Sequence, residues 1–213
     1  MRKKLEKSTL ILNKGTLSKI EKQKRGRKFN LYIDDVLVFS IYEDTFIKFN
    51  LKKYQKLSKE KLHEIYEYDQ LIKAVNSAYN LLSIRPRSKR EIELRLSQRF
   101  SKEIVQKVTK ELQRKQLIQD EDFCNFWVSS SNYKLKSKRQ IEYELYQKNV
   151  DPKQIHEALN KFTEGQEIEK AKQLIRKYKS RYSEISEIAK KQKMQNLLAR
   201  KGYTWSVIRE VTQ

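Results

Sequence analysis

The sequence predicts a mainly α-helical protein, in which a small N-terminal antiparallel β meander is followed by tandem three-helix repeats forming a short curved solenoid. Three observations lead there. Apolar residues alternate with period two only in the first quarter of the chain. From Ser58 onward the apolar spacing is helical, and a serine-led segment of the helical part recurs.

Within residues 1–57, Phe29, Leu31 and Ile33 alternate with Asn30 and Tyr32, and Leu37, Phe39 and Ile41 alternate with Val38 and Ser40. That is the pattern of half-buried strands, with Asp34–Asp35 as the turn between them. Thr16 to Lys22 can pair through the turn Lys24–Arg25–Gly26–Arg27–Lys28, and Thr45 to Phe49 is a candidate fourth strand. The basic turn reads equally as a solvated hairpin tip or as a phosphate contact.

Beyond Ser58 the only prolines are Pro86 and Pro152, and the only glycines Gly165 and Gly202. Ser58 can cap a helix carrying Leu62, Ile65 and Tyr66, and a second helix, from about Asp69 to Leu82, carries Leu71, Val75, Ala78 and Leu82 on one stripe. The segment Ser88–Lys89–Arg90–Glu91–Ile92 then lines up with Ser137–Lys138–Arg139–Gln140–Ile141. Both copies open with the capping-box pattern, in which the serine oxygen takes the third amide and the acid or amide side chain reaches back. Further caps follow at Ser101 and at Asp151–Pro152, proline being tolerated in a first helical turn.

A diverged third copy ends in Leu197–Leu198 and Arg200–Lys201–Gly202–Tyr203, with Gly202 and Asn149 in equivalent places for a helix C-terminus of positive φ. The division expected is a β-rich region over 1–57, a linker helix and first repeat over 58–117, a second repeat over 118–163 and a third over 164–213. Each repeat is about 50 residues.

The chain carries 48 Lys and Arg against 27 Asp and Glu, a formal charge of +21. Such a field attracts polyanions, so nucleic acid or a nucleoprotein is the partner expected. The longest early apolar run, Leu10–Ile11–Leu12, is too short for a signal peptide, and no run approaches the roughly 20 apolar residues of a membrane span. A cytoplasmic location is expected, with no membrane partner and a monomeric chain. The single cysteine, Cys124, reads as a small buried hydrophobe, and His63 and His156 lack the companions a zinc site needs. No metal or cofactor is expected.

Catalytic motifs are missing from the sequence. With glycine only at positions 15, 26, 165 and 202, neither a phosphate-binding loop nor a dinucleotide fingerprint can be written. Asp120–Glu121–Asp122 could hold a metal for phosphodiester hydrolysis, but it reads first as an acidic first turn favoured by the helix dipole. The chain is expected not to be an enzyme.

The binding candidates are the basic residues at the starts of equivalent helices: Arg85, Arg87, Lys89 and Arg90; Lys136, Lys138 and Arg139; and Arg200 with Lys201. Stacked repeats would align them as a stripe able to track phosphates. The bland alternative is that each simply points into water, with Arg87 bracing its own repeat. Phe123, Trp127 and Phe162 stand at core spacing. A different class of function is a direct DNA-binding protein, because trihelical units resemble helix-turn-helix shapes. The third helices, however, carry Lys102, Gln106, Lys107 and Lys110 in one copy and Lys153, Gln154, His156 and Asn160 in the next, with no recurring base-reading set.

The ordered motifs resemble the RecX family. Leu82, Arg85, Arg87, Ser88, Glu91 and Leu96 are similar to its first-repeat signature, and Leu117–Ile118–Gln119–Asp120–Glu121–Asp122–Phe123–Cys124 with Trp127 to its central one. Lys138, Arg139, Ile141, Glu144, Leu145, Lys148, Asn149 and Val150 resemble the second repeat; Leu198–Ala199–Arg200–Lys201–Gly202–Tyr203 and Ile208 resemble the third. The N-terminal strands look like the extension of Gram-positive members. Departures are Gln119 for an Asp, Cys124 for an Ala, Asn149 for a Gly, and Leu135–Lys136–Ser137 where relatives carry Gly-Pro. The resemblance implies a regulator that binds the filament of the RecA recombinase on single-stranded DNA, restraining strand exchange and coprotease activity or promoting filament loss; duplex DNA is a second candidate partner. Such a regulator would mainly inhibit recombination and coprotease activity in DNA repair and the SOS response.

Overall fold

A computed structural model of the chain describes residues 14–24, 26–179 and 186–213. Leu10–Ile11–Leu12 and Arg25, invoked above, lie outside the described residues. The chain divides into two compact units, one of residues up to Leu81 with Arg95–Glu111, the other of Leu82–Leu94 with Leu112–Gln213.

The first unit is built on an antiparallel sheet of β1 (Gly15–Lys22), β2 (Lys28–Ile33), β3 (Val36–Tyr42) and β4 (Lys56–Leu57), in the order β3-β2-β1-β4. Asp34 and Asp35 turn β2 into β3 with φ of 46° and 64°, a left-handed pair of the kind that suits a tight hairpin and that Asp tolerates. Leu17, Leu31, Phe39 and Ile41 are buried on one face of the sheet, with Leu62 and Ile65 in the same cluster. Each such side chain contributes about 1.5–3 kcal/mol on burial.

Thr45 to Phe49 is not the fourth strand. Glu43–Lys48 forms the helix α1, with Glu43 and Asp44 in its first turn, where the helix dipole favours acids. Phe46 stacks on Phe29 at 4.6 Å between ring centroids, and Thr45 is buried with its hydroxyl on the Asp69 carboxylate at 3.0 Å. The fourth strand is instead the two-residue β4, opposite Gly15 and Thr16.

Ser58 caps α2 (Lys59–Leu82) by accepting the Lys61 amide. The two helices expected over this stretch are one. The apparent second start, Asp69, is fully buried and accepts from the Tyr42 backbone N–H at 2.7 Å while pairing with Lys73 at 2.7 Å. Its capping chemistry serves another element and leaves α2 uninterrupted.

α3 (Lys89–Leu96) and α4 (Lys102–Arg114) follow. The buried residues Ile92, Leu96, Ile104, Val105, Val108 and Leu112 keep helical spacing. The second unit continues with α5 (Asp120–Tyr133), α6 (Lys138–Gln147) and α7 (Pro152–Asn160). After these come α8 (Glu164–Lys179), α9 (Glu187–Arg200) and α10 (Trp205–Val211).

Phe123 and Cys124 of α5, Ile141 and Leu145 of α6, and Ile155 and Leu159 of α7 share one core. Ala171 and Leu174 of α8, Leu197 and Leu198 of α9, and Val207 and Ile208 of α10 share the next. These are two successive three-helix units. Asn149 and Gly202, at equivalent places, both have positive φ, 57° and 79°.

Candidate functional site

The duplicated serines begin their helices by the same contacts. Ser88 Oγ accepts the Glu91 amide at 3.2 Å, and Ser137 Oγ accepts the Gln140 amide at 3.1 Å. The reciprocal half of the capping box is displaced. Glu91 is bound by Arg85 at 3.0 Å and Lys148 at 2.6 Å, while Gln140 Oε1 is buried without a hydrogen-bond partner.

What the serines do instead is join one helix to the next. Ser88 Oγ donates to the Lys148 carbonyl at 3.3 Å, and Ser137 Oγ donates to the Lys201 carbonyl at 2.7 Å. The following residue of each helix start is held as well: the Lys89 amide bonds the Asp120 carboxylate, and the Lys138 amide bonds Glu167 Oε1 at 2.8 Å. So the N-terminus of α3 meets the C-terminal end of α6 and the start of α5, and the N-terminus of α6 meets the end of α9 and the first turn of α8. Donors at one helix end satisfy acceptors at another, and the dipoles run head to tail.

These junctions decide where the basic residues lie. Arg85 and Lys136 are half-buried and turned to internal acids, Arg85 to Glu91 and Lys136 to Glu144. Trp127 is held in the same network: its indole N–H donates to Glu144 at 3.0 Å, and the Lys148 and Lys136 ammonium groups stand 4.2 and 5.4 Å from its ring centroid. Arg90, Arg139 and Arg200 are exposed, and Arg87, Lys89, Lys138 and Lys201 half-buried.

The Ser137–Lys201 contact brings Lys138 and Arg139 beside Arg200 and Lys201, and a Cβ on Gly202 would lie 3.9 Å from that of Arg139. Lys89 and Arg90 stand at the other end of α6, near Lys148. A helix of ten residues puts the two clusters roughly 15 Å apart. Arg200 also lines an open cleft of about 620 Å³ with Lys193, Asn196 and Ala199. Lys148, which enters the sequence reading only through the second-repeat resemblance and not among the binding candidates, is part of this network. Its partner Glu91 lies in another helix, so no local pattern marks the pair.

The electrostatics follow the burial. Burial works to raise the Glu91 carboxyl pKa, but the bonds from Arg85 and Lys148 outweigh it and leave the group below its usual value. Burial dominates at Asp120, in the first turn of α5, and lifts its carboxyl above the usual range. It also raises the thiol of buried Cys124, to about 11, so that side chain stays an inert core residue. Lys170 of α8 is buried with its ammonium 3.6 Å from the Phe162 ring centroid, and burial pulls its pKa down to about 8 against the pull of Glu167.

Among the described residues no group of three or more His, Cys, Asp or Glu could hold a metal ion, and His63 and His156 are exposed. No described helix is long and apolar enough to cross a membrane.

Comparison with known proteins matches three parts of the chain to family models. Residues 15–58 match the regulatory protein RecX N-terminal domain, 74–112 the first three-helix domain of RecX, and 164–212 its third three-helix domain. The regulatory protein RecX of Clostridioides difficile is 31% identical over 202 residues, covering 92% of this chain and 94% of that one. That of Limosilactobacillus reuteri is 33% identical over 90% of this chain and 73% of its own length. Among solved structures, a crystal structure of regulatory protein RecX superposes with a TM-score of 0.66 at 32% identity, covering 92% of this chain and 98% of that one. RecX from Lactobacillus salivarius gives 0.58 at 27%, covering 68% and 95%.

Proposed function

The chain belongs to the RecX family of regulatory proteins, and from that premise we propose that it restrains the RecA recombinase by binding the RecA filament on single-stranded DNA. It does so without catalysis of its own, in the cytoplasm, through exposed and half-buried basic residues at the starts and ends of its helices. The observation that carries this reading is the repeated junction. Ser88 with Lys148, and Ser137 with Lys201, set equivalent basic residues at successive ends of one row of helices. A regular row of cations suits a regular polyanionic surface, each phosphate contact adding affinity without reading sequence.

The burial of the side chains supports a narrower choice among the basic candidates. Arg90, Lys138, Arg139, Arg200 and Lys201, with Lys89, form the contact surface, while Arg85 and Lys136 brace the junctions from within. The test is a titration of wild type and an Arg90/Arg139/Arg200 triple alanine variant against RecA-coated and bare single-stranded DNA of two unrelated sequences, over a salt series. The reading expects tighter binding to the filament, indifference to DNA sequence, and a shallower salt slope in the variant by roughly one per lost phosphate contact. A preferred sequence, or an unchanged slope, would favour direct DNA recognition by helix-turn-helix-like units instead.

A further inference from the structure

The face of the N-terminal sheet turned away from the core has a composition the helical reading leaves unused. Cross-strand pairing places Lys19, Tyr32 and Leu37 in one row, Glu21, Asn30 and Ser40 in the next, and Lys28 with Tyr42 in a third. The opposite face carries Phe29, Leu31, Phe39 and Ile41 and packs into the core. Each outer tyrosine ring has a lysine over it, Lys19 at 5.0 Å from the Tyr32 centroid and Lys28 at 4.7 Å from that of Tyr42.

Between the rings lies a row of amides and a hydroxyl. Gln23 donates to Asn30 Oδ1 at 2.6 Å and to Ser40 Oγ at 3.0 Å, and Ser40 Oγ donates to the same Asn30 oxygen at 2.7 Å. The acid in these rows, Glu21, is answered by Lys19 at 3.3 Å and by the Tyr32 hydroxyl at 2.9 Å, a contact that orients the half-buried ring.

We propose that this sheet face is a binding platform for single-stranded nucleic acid, with Tyr32 and Tyr42 as stacking rings and Lys19 and Lys28 as phosphate contacts. Tyr42 of β3 pairs with Lys28, four residues from Tyr32 along β2, so the two rings stand roughly 13 Å apart along the strands, on a sheet that is bulged beside Tyr32. The half-exposed rings suit unstacked bases once the lysines that lie over them move to the phosphates that link those bases. The amide row between them can bond a base edge, the mode by which open sheets take single strands. A duplex hides its base faces and would gain nothing from the rings. The platform uses none of the helical residues assigned above, so it stands or falls apart from them.

The test uses the full chain and a fluorescent oligothymidylate of about 12 nucleotides, a length within the site size of comparable folds. Tyr32→Ala and Tyr42→Ala should each weaken binding at least about 5-fold, the lower end for loss of one stacked base. Tyr32→Phe and Tyr42→Phe should hold within about 2-fold by the same reasoning. Independently of how any variant folds, ultraviolet cross-linking of wild type to an iododeoxyuridine oligonucleotide should put adducts on the peptides holding Tyr32 and Tyr42. Adducts confined to the helices, or alanine variants of unchanged oligonucleotide affinity, would overturn the proposal. So would alanine variants that keep oligonucleotide affinity and lose only the RecA filament, which would make the face a protein contact.

Discussion

A side-chain carbon added to Gly202 would stand 2.9 Å from the hydroxyl oxygen of Ser137, the group that ties α6 to the end of α9. Gly202 also has φ of 79°, where any Cβ is strained. Gly202→Ala should therefore destabilise the protein by about 1–3 kcal/mol in urea unfolding. Gly165→Ala is the control. It lies in α8 with nothing within 4 Å of an added carbon, and should be neutral or stabilising by about 0.5–1 kcal/mol.

Ser137→Ala removes a cap and an inter-helix donor together. The expected loss is about 1–2 kcal/mol. Ser88→Ala should cost less, because its hydroxyl reaches the Lys148 carbonyl only at 3.3 Å. Equal costs in matched denaturation curves would mean that the junction bonds add nothing beyond capping.

Glu91 should shape the acid limb of stability. Its folded pKa is depressed, so its contribution is present above the unfolded value near 4.5 and is lost as pH falls through the lower folded value. Glu91→Gln should flatten the stability profile below about pH 5 and lower stability at neutral pH. Thermal unfolding across pH 3 to 7, in both proteins, reads the difference.

Lys170 should act at the other end of the scale. Its folded pKa of about 8 lies below the ordinary 10.5, so above pH 8 the unfolded chain holds a proton the folded chain has released, and stability rises with pH across that interval. Below pH 8 the cost of the buried charge is fully present. Lys170→Met should thus stabilise the protein at pH 7 by about 1 kcal/mol or more and remove the rise between pH 8 and 10. Glu167 and the buried Tyr203, whose phenol is raised by burial, face the same region, so the scan should stop below pH 10.

Arginine substitutions should split into two kinds. Arg85→Ala leaves Glu91 half-served and should lower stability measurably while changing the salt slope of filament binding little. Arg90→Ala, at an exposed position, should leave stability within about 0.5 kcal/mol and reduce the slope. The reverse pattern would exchange their roles.

The helix starts at Ser88, Ser101, Ser137 and Asp151 were legible because a cap and its amide lie within three residues of each other. Thr45–Phe49 was not, since what makes it helical is Phe29 and Asp69, both remote in sequence. Asp69 misled for the same reason, its carboxylate being spent on Tyr42. β4 is two residues long and has no periodicity to read. Among the basic candidates the sequence could not tell Arg90 from Arg85, because the acids that turn a cation inward come from other turns and other helices.

The amide of Lys138 is a first-turn donor that an isolated helix would leave to water, and it is bonded here to Glu167 of a different helix. Its exchange with deuterated solvent therefore reports on α8 and not on α6. Should the last three helices detach while the rest of the unit holds, this amide would lose its protection before the interior of its own helix does. One backbone position thus serves as a clock for the undocking of the final repeat.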